Sequence, residues 1–158
     1  RRLGNLAPRA ARAGARIAHT VLLDPGREMD ALAPWAGRAD HVLVDAPCSG
    51  SGTWRRSPEG RWRIDPAELA RLTALQDHVL DIAAQLLRPG GTIGFVTCSV
   101  LDAEGADRVA AFLARHPGWR CGELHLAAPA TPRGGGYRLD PLTTGSDGFF
   151  VALLAAPC

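Results

Sequence analysis

The sequence predicts an α/β domain built on a mostly parallel sheet, and three observations carry that reading. Helix-like and strand-like stretches alternate along most of the chain. Two of the strand-like runs, HVLVDA and TIGFVTC, are apolar with little polar alternation, as strands buried inside a parallel sheet are. A well-capped helical stretch lies between them and is long enough for the crossover that parallel neighbours require. The order helix–β–α–β–α–β–α–β–β then implies right-handed crossovers and an antiparallel hairpin closing one edge.

The elements follow in turn. Residues 1–15 read as a helix with Leu3, Leu6, Ala10 and Ala13 near one face, Gly14 as its stop and Pro8 marking a late start or a kink. RIAHTVLLD (16–24) reads as a strand ending at Asp24. REMDALAPWAG is a short helix or turn limited by Pro34. DHVLVDA (40–46) reads as a buried strand, and CSGSGTWRRSPEGRWRI (48–64) as a long polar loop. Asp65 fits a helix N-cap, Pro66 the first helical position and Glu68 the reciprocal capping residue. Leu69, Leu72, Leu75, Val79, Ile82 and Leu86 follow at helical spacing until RPGG (88–91) ends the helix. TIGFVTC (92–98) is the next strand, and Asp102 caps a helix running to about Arg115. GELHLA (122–127) is a weak strand and GFFVALLA (148–155) a strong one, with PATPRGGGYRLDPLTTGSD a loop between them.

At 158 residues the chain is one ordinary domain with enough material for a core. No apolar run approaches the ~18 residues of a membrane span. The first residues carry charge but no signal-peptide core, so a cytoplasmic protein with reduced thiols is expected. The net charge is +2, all 18 basic residues are Arg, and the Ala, Gly and Pro content suggests coding bias. Arginine count is therefore weak evidence for a polyanionic partner. The chain opens on Arg1 and its only Met is Met29, which suggests a segment of a longer protein.

Asp24, Asp45 with Cys48, and Cys98 each fall just past a strand end. Open parallel sheets bind ligands beyond the carboxyl ends of their strands, so these residues are expected along one edge. Taken singly, a free cysteine is most often inert packing. A pair at matched strand ends beside a carboxylate argues for shared chemistry. A disulfide is disfavoured by compartment, and no CxxC or HxxxH spacing supports a metal.

The stretches DAPCSGSGTWRRSPEGRW, LLRPGGTIGFVTCSVLDAEG and GSDGFFVA resemble the RNA cytosine carbon-5 methyltransferase family, the Sun/Fmu group of ribosomal RNA enzymes and their eukaryotic relatives. The resemblance covers nearly the whole chain. It implies a Rossmann-like sheet and S-adenosylmethionine-dependent methyl transfer to cytosine in RNA. Cys98 resembles the thiol that attacks carbon 6 of the base, and Cys48 the second thiol that releases the product. Asp45 would contact the base edge or the methyl donor, and Asp24 matches the family acid near the cofactor adenine, here in the variant setting DPGR. The target base must be unstacked or single-stranded. Arg55, Arg56, Arg61 and Arg63 would then reach phosphates and Trp54 or Trp62 stack on bases. Against this stands a solvated Arg loop with both Trp packed on the sheet. Asp102, Glu104 and Asp107 read as the acidic first turn of a helix. Asp147, Phe149 and Phe150 match a family motif, with the two aromatics read as core. Cys121 and Cys158 have no assigned role.

The family's Gly-rich turn after the first strand, and the acid after the second, are absent. The chain therefore resembles the carboxyl-terminal part of a single catalytic domain, spanning 1–158, with the missing amino-terminal part of the same protein as a partner. Such a segment alone is expected to be inactive or weak. The competing reading is a non-catalytic RNA-binding or interaction module on a truncated sheet. A DNA cytosine methyltransferase shares the proline-cysteine motif, but the second cysteine argues against it.

Overall fold

The computed structural model describes residues 6–127 and 129–158, which fall into two compact units divided after Pro34. The first unit carries α1 (Leu6–Arg12) and α2 (Glu28–Leu32). Pro8 lies in the first turn of α1, where its missing N–H has no intrahelical acceptor to lose. Gly14, at φ 65°, closes the helix with its own N–H on the Ala11 carbonyl and the Ala15 N–H on that of Ala10, the paired bonds of a Schellman stop. Residues 1–5 of the expected helix lie outside the described residues. Residues 16–24 form no strand, contrary to expectation. Their apolar pattern suits one, but no ladder partner is present among the described residues, and a strand without a partner is not stable.

A 3-10 turn, Ala33–Trp35, follows α2 at the end of the first unit, and the second unit, from Trp35 on, holds the sheet. Its elements are β1 (Ala39–Asp45), α3 (Pro66–Leu86), β2 (Leu87–Thr97), α4 (Ala106–Arg115), β3 (Arg120–Cys121), β4 (Thr131–Arg133), β5 (Gly136–Leu139), α5 (Pro141–Thr144) and β6 (Phe149–Ala155). The sheet order is β1-β2-β6-β5-β4, with β3 also paired to β6. Only β1 and β2 pair in parallel; the other described pairings are antiparallel, which corrects the mostly parallel expectation. The reason is where β6 sits. It slots between β2 on one side and β3 and β5 on the other, running against all three. Strands β2, β3 and β5 thus share a direction but never pair with one another.

The closing hairpin also differs from the reading of the sequence. GELHLA contributes no strand beyond Cys121, whereas PRGGGYRL, read as loop, forms the β4–β5 hairpin. Its two-residue turn is Gly134-Gly135, both at positive φ, the geometry that matches the twist of a tight hairpin.

Helix α3 forms as its sequence signals: the Asp65 carboxylate accepts the Glu68 N–H at 2.8 Å and Pro66 occupies the first position. The reciprocal cap does not form, because Glu68 turns its carboxylate to Arg71 at 2.7–2.8 Å. The helix ends at Leu86, one turn before the glycines, and Leu87 is already extended and paired to Ala39. α3 packs on β1, β2 and α4. The core gathers Leu80, Ile93, Phe95, Val109, Phe112 and Leu154, all at most 1% exposed. Phe95 meets Phe150 edge to face at 6.2 Å, and Phe112 does the same with Trp119 at 5.0 Å.

β1 is not the buried strand its composition suggests. Among the described residues it is the edge strand of the sheet, with Leu43 75% exposed and only Val44 of the strand buried. Among the described residues no helix is long and apolar enough to cross a membrane.

Candidate active site

The parallel register decides where the two cysteines go. Asp45 stands opposite Val96, and the Ala46 N–H continues the ladder to the Val96 carbonyl at 3.0 Å. The carboxyl ends of β1 and β2 therefore coincide, and the chain leaves each into a cysteine within three residues. Cys48 and Cys98, half-buried, place their sulfurs 3.3 Å apart. Side chains 50 residues apart in the chain thus share one proton.

Either sulfur can donate in this contact, and the environment favours Cys48 as the donor. As acceptor of the Cys48 thiol, Cys98 is held down to about 7, with its own backbone hydrogen bond helping; burial and the charges of Asp45 and Glu104 oppose the shift. Cys48 is pushed up, chiefly because its proton is engaged by Cys98 and then by burial. Cys98 thus has thiolate character near neutral pH, the form that attacks carbon electrophiles. Asp45, exposed at the end of β1, is close enough for its charge to be felt at Cys98.

The two cysteine loops are stitched together. The Gly52 N–H donates to the Cys98 carbonyl at 3.0 Å. The buried hydroxyls of Ser51 and Ser99 pair at 2.9 Å; Ser51 Oγ also accepts the Val100 N–H and Ser99 Oγ the Leu101 N–H, both at 3.1 Å. The residues before β6 close over them. The Gly148 N–H donates to the Gly52 carbonyl at 2.8 Å, and a Cβ on Gly52 would lie 2.0 Å from the Gly148 oxygen.

Glu104, read from sequence as part of an acidic first turn, is instead fully buried. It accepts the Ser49 N–H at 2.8 Å, the Ser49 hydroxyl at 2.5 Å and the Gln76 amide at 3.2 Å. Gln76, also fully buried, gives its amide to the Pro47 carbonyl as well, at 2.9 Å. One signal for these two residues was available: Gln76 interrupts the apolar row Leu72–Leu80 at helical spacing, where a polar side chain needs a buried partner.

Of the arginines expected at RNA, Arg55 and Arg56 converge on one carboxylate. Arg56 bonds Asp147 through Nε at 2.6 Å, and Arg55 lies 3.8 Å from the same group. Both arginines stay more than 60% exposed while Asp147 is largely covered. Trp54 packs on Gly60, and Trp62 is 77% exposed with the Arg61 guanidinium 4.5 Å over its ring. Asp24 lies in the first unit, exposed and outside any strand, so the strand end expected to carry it is absent.

Fold and site together define a Rossmann-like methyltransferase domain. The chain superposes on the crystal structure of PH0851 with a TM-score of 0.83 and 32% identity, over 97% of this chain and 34% of that one. NSun6 from Pyrococcus horikoshii, solved with SFG, shares the fold at a TM-score of 0.80 and 24% identity, over 98% of this chain and 38% of that one. The model of the family described as 16S rRNA methyltransferase RsmB/F matches residues 1–155, and the chain belongs to that family. It is 43% identical to the ribosomal RNA small subunit methyltransferase B of Thermus thermophilus over 143 residues, 90% of this chain and 36% of that protein. It is 41% identical to the Klebsiella pneumoniae enzyme of the same description, over 76% of this chain and 27% of that one. The chain thus spans about a third of the length of the curated relatives it matches.

Proposed function

We propose that this chain is the catalytic segment of an S-adenosylmethionine-dependent methyltransferase acting on carbon 5 of cytosine in RNA, with ribosomal RNA as the substrate class. The observation that carries the reading is the 3.3 Å contact between Cys98 and Cys48, with thiolate character on Cys98. Family membership gives the methyltransferase class, and the names of the relatives support ribosomal RNA as the substrate class.

Carbon 5 of cytosine is a poor nucleophile. The Cys98 thiolate adds to carbon 6, the ring nitrogen takes a proton from solvent that Asp45 stabilises and that returns to solvent when Cys98 leaves, and carbon 5 becomes enamine-like. S-adenosylmethionine, when bound, supplies an electrophilic methyl group. Asp45 fits its neighbourhood, being an exposed carboxylate at the carboxyl end of β1, where open sheets of this class hold ligands.

Release requires loss of the carbon-5 proton and cleavage of the bond from carbon 6 to Cys98. While Cys98 is a thiolate, Cys48 keeps its proton. Once Cys98 is a thioether, the main cause of the raised Cys48 pKa is gone. Cys48 then gives its own proton to solvent and, as thiolate, removes the carbon-5 proton, and the electron pair left at carbon 5 forms the 5,6 double bond and expels Cys98 as thiolate. The geometry thus makes the second thiol basic only after the first has reacted. Arg55 and Arg56 contact RNA phosphates, and the segment alone is weakly active.

The test is methyl transfer to unmodified small-subunit ribosomal RNA by the protein of the complete reading frame, followed by nucleoside mass spectrometry. 5-Methylcytosine is expected; a methyl group on another base or atom overturns the reading.

A further inference from the structure

We infer that Glu104 is a positioning residue for this reaction: through Ser49 and Gln76 it holds residues 47–49 so that the Cys48 thiol faces Cys98. The inference rests on the two-thiol reading above. It begins from an anomaly, a carboxylate with no exposed surface that pairs with no cation among the described residues. Burying such a group is costly unless hydrogen bonds compensate. Here every side-chain partner points one way. Ser49 follows Cys48 and gives both its N–H and its hydroxyl; Gln76 bonds Glu104 and also the carbonyl of Pro47, which precedes Cys48. The residues on both sides of the thiol are therefore fixed by one carboxylate.

The anchor is stiffer than what it holds. The Glu104 carbonyl accepts the hydroxyl of Thr97, a fully buried residue of β2, at 3.2 Å. Gly105 seats this turn directly on the Phe150 ring, where a Cβ would come within 2.6 Å. Gln76 projects from the middle of α3. The Cys48 segment, by contrast, is irregular chain leaving an edge strand. Thiol contacts are short-ranged, so a shift of about 1 Å in that segment separates the sulfurs and costs up to about a hundredfold in rate.

Glu104→Gln preserves shape but turns one acceptor oxygen into a donor, so the short charge-assisted bond from the Ser49 hydroxyl is lost or reversed. Ser49→Ala removes the hydroxyl donor alone and serves if the first variant does not fold. Both are made in the protein of the complete reading frame and assayed on unmodified small-subunit ribosomal RNA. The expected result is a kcat lowered about tenfold to a hundredfold at unchanged KM for RNA. A covalent RNA–protein adduct is expected to accumulate as is expected of Cys48→Ala, with a weaker effect in Ser49→Ala. A merely structural residue would lower the folded fraction without trapping the adduct. Wild-type turnover in the folded variants, or abolished turnover with no adduct while Cys48→Ala does accumulate it, overturns the role of Glu104. Absence of adduct from Cys48→Ala itself sinks the two-thiol reading, and this inference with it.

Discussion

The sulfurs of Cys48 and Cys98 stand 3.3 Å apart, within reach of one hydrogen bond, and the downward shift of Cys98 beside the upward shift of Cys48 favours Cys48 as the donor. The pH consequence has a definite sign. A donor stabilises the thiolate it faces, so Cys98 ionises near 7 rather than at the ordinary value of about 8.5. Removing the donor in Cys48→Ala raises Cys98 back toward that ordinary value. The rate of Cys98 alkylation by iodoacetamide, followed by mass spectrometry against pH, is expected to show a midpoint near 7 in the wild type and a higher one in the variant. An unchanged midpoint contradicts the shared proton.

The close approach of Gly52 and Gly148 makes a stability prediction. A Cβ on Gly148 would lie 2.4 Å from Val100 Cγ1 and 2.9 Å from the Gly52 Cα. Backbone cannot step aside as a flexible side chain does. Gly148→Ala is expected to cost about 1–3 kcal/mol or more, as overpacking does, read as a lower urea midpoint. Gly90→Ala is a useful contrast. There a Cβ meets nothing, so its cost reports only the left-handed backbone at φ 73°.

Arg56, tethered to Asp147 yet largely exposed, is placed to exchange its carboxylate for a phosphate. Arg56→Ala is expected to weaken RNA binding about equally across sequences. On single strands the slope of log affinity against log salt should flatten by about 0.7 for each phosphate that the variant no longer neutralises. Filter binding over a salt series checks this; an unchanged slope removes Arg56 from the RNA surface.

Helix α3 offers a local check on its start. Asp65→Ala removes the acceptor of the Glu68 N–H and is expected to cost about 1 kcal/mol by chemical denaturation.

Much of the site is legible in the sequence because it rests on local features. The capping signal at Asp65 marks α3, and an apolar run on either side marks β1 and β2, so the ends carrying Cys48 and Cys98 can be paired. What is not legible depends on distant partners. Nothing local tells β6 to enter between β2 and β3, and that choice decides which pairings are antiparallel. The apolar run at 16–24 has the composition of a strand but no neighbour in the described structure. Tandem glycines at 134–136 read as loop until the flanking residues find each other across the turn. Leu43 has the composition of core, yet among the described strands β1 has no neighbour beyond β2 to cover it. Glu104 hides best, since an acidic residue at the start of a helix has an ordinary explanation that conceals its burial.

The division of labour between the two thiols is tested most directly by trapping. The protein of the complete reading frame, carrying Cys48→Ala or Cys98→Ala, is incubated with S-adenosylmethionine and unmodified small-subunit ribosomal RNA, then run on a denaturing gel. A covalent RNA–protein band is expected with Cys48→Ala and none with Cys98→Ala. A band that persists in Cys98→Ala contradicts the assignment of the nucleophile.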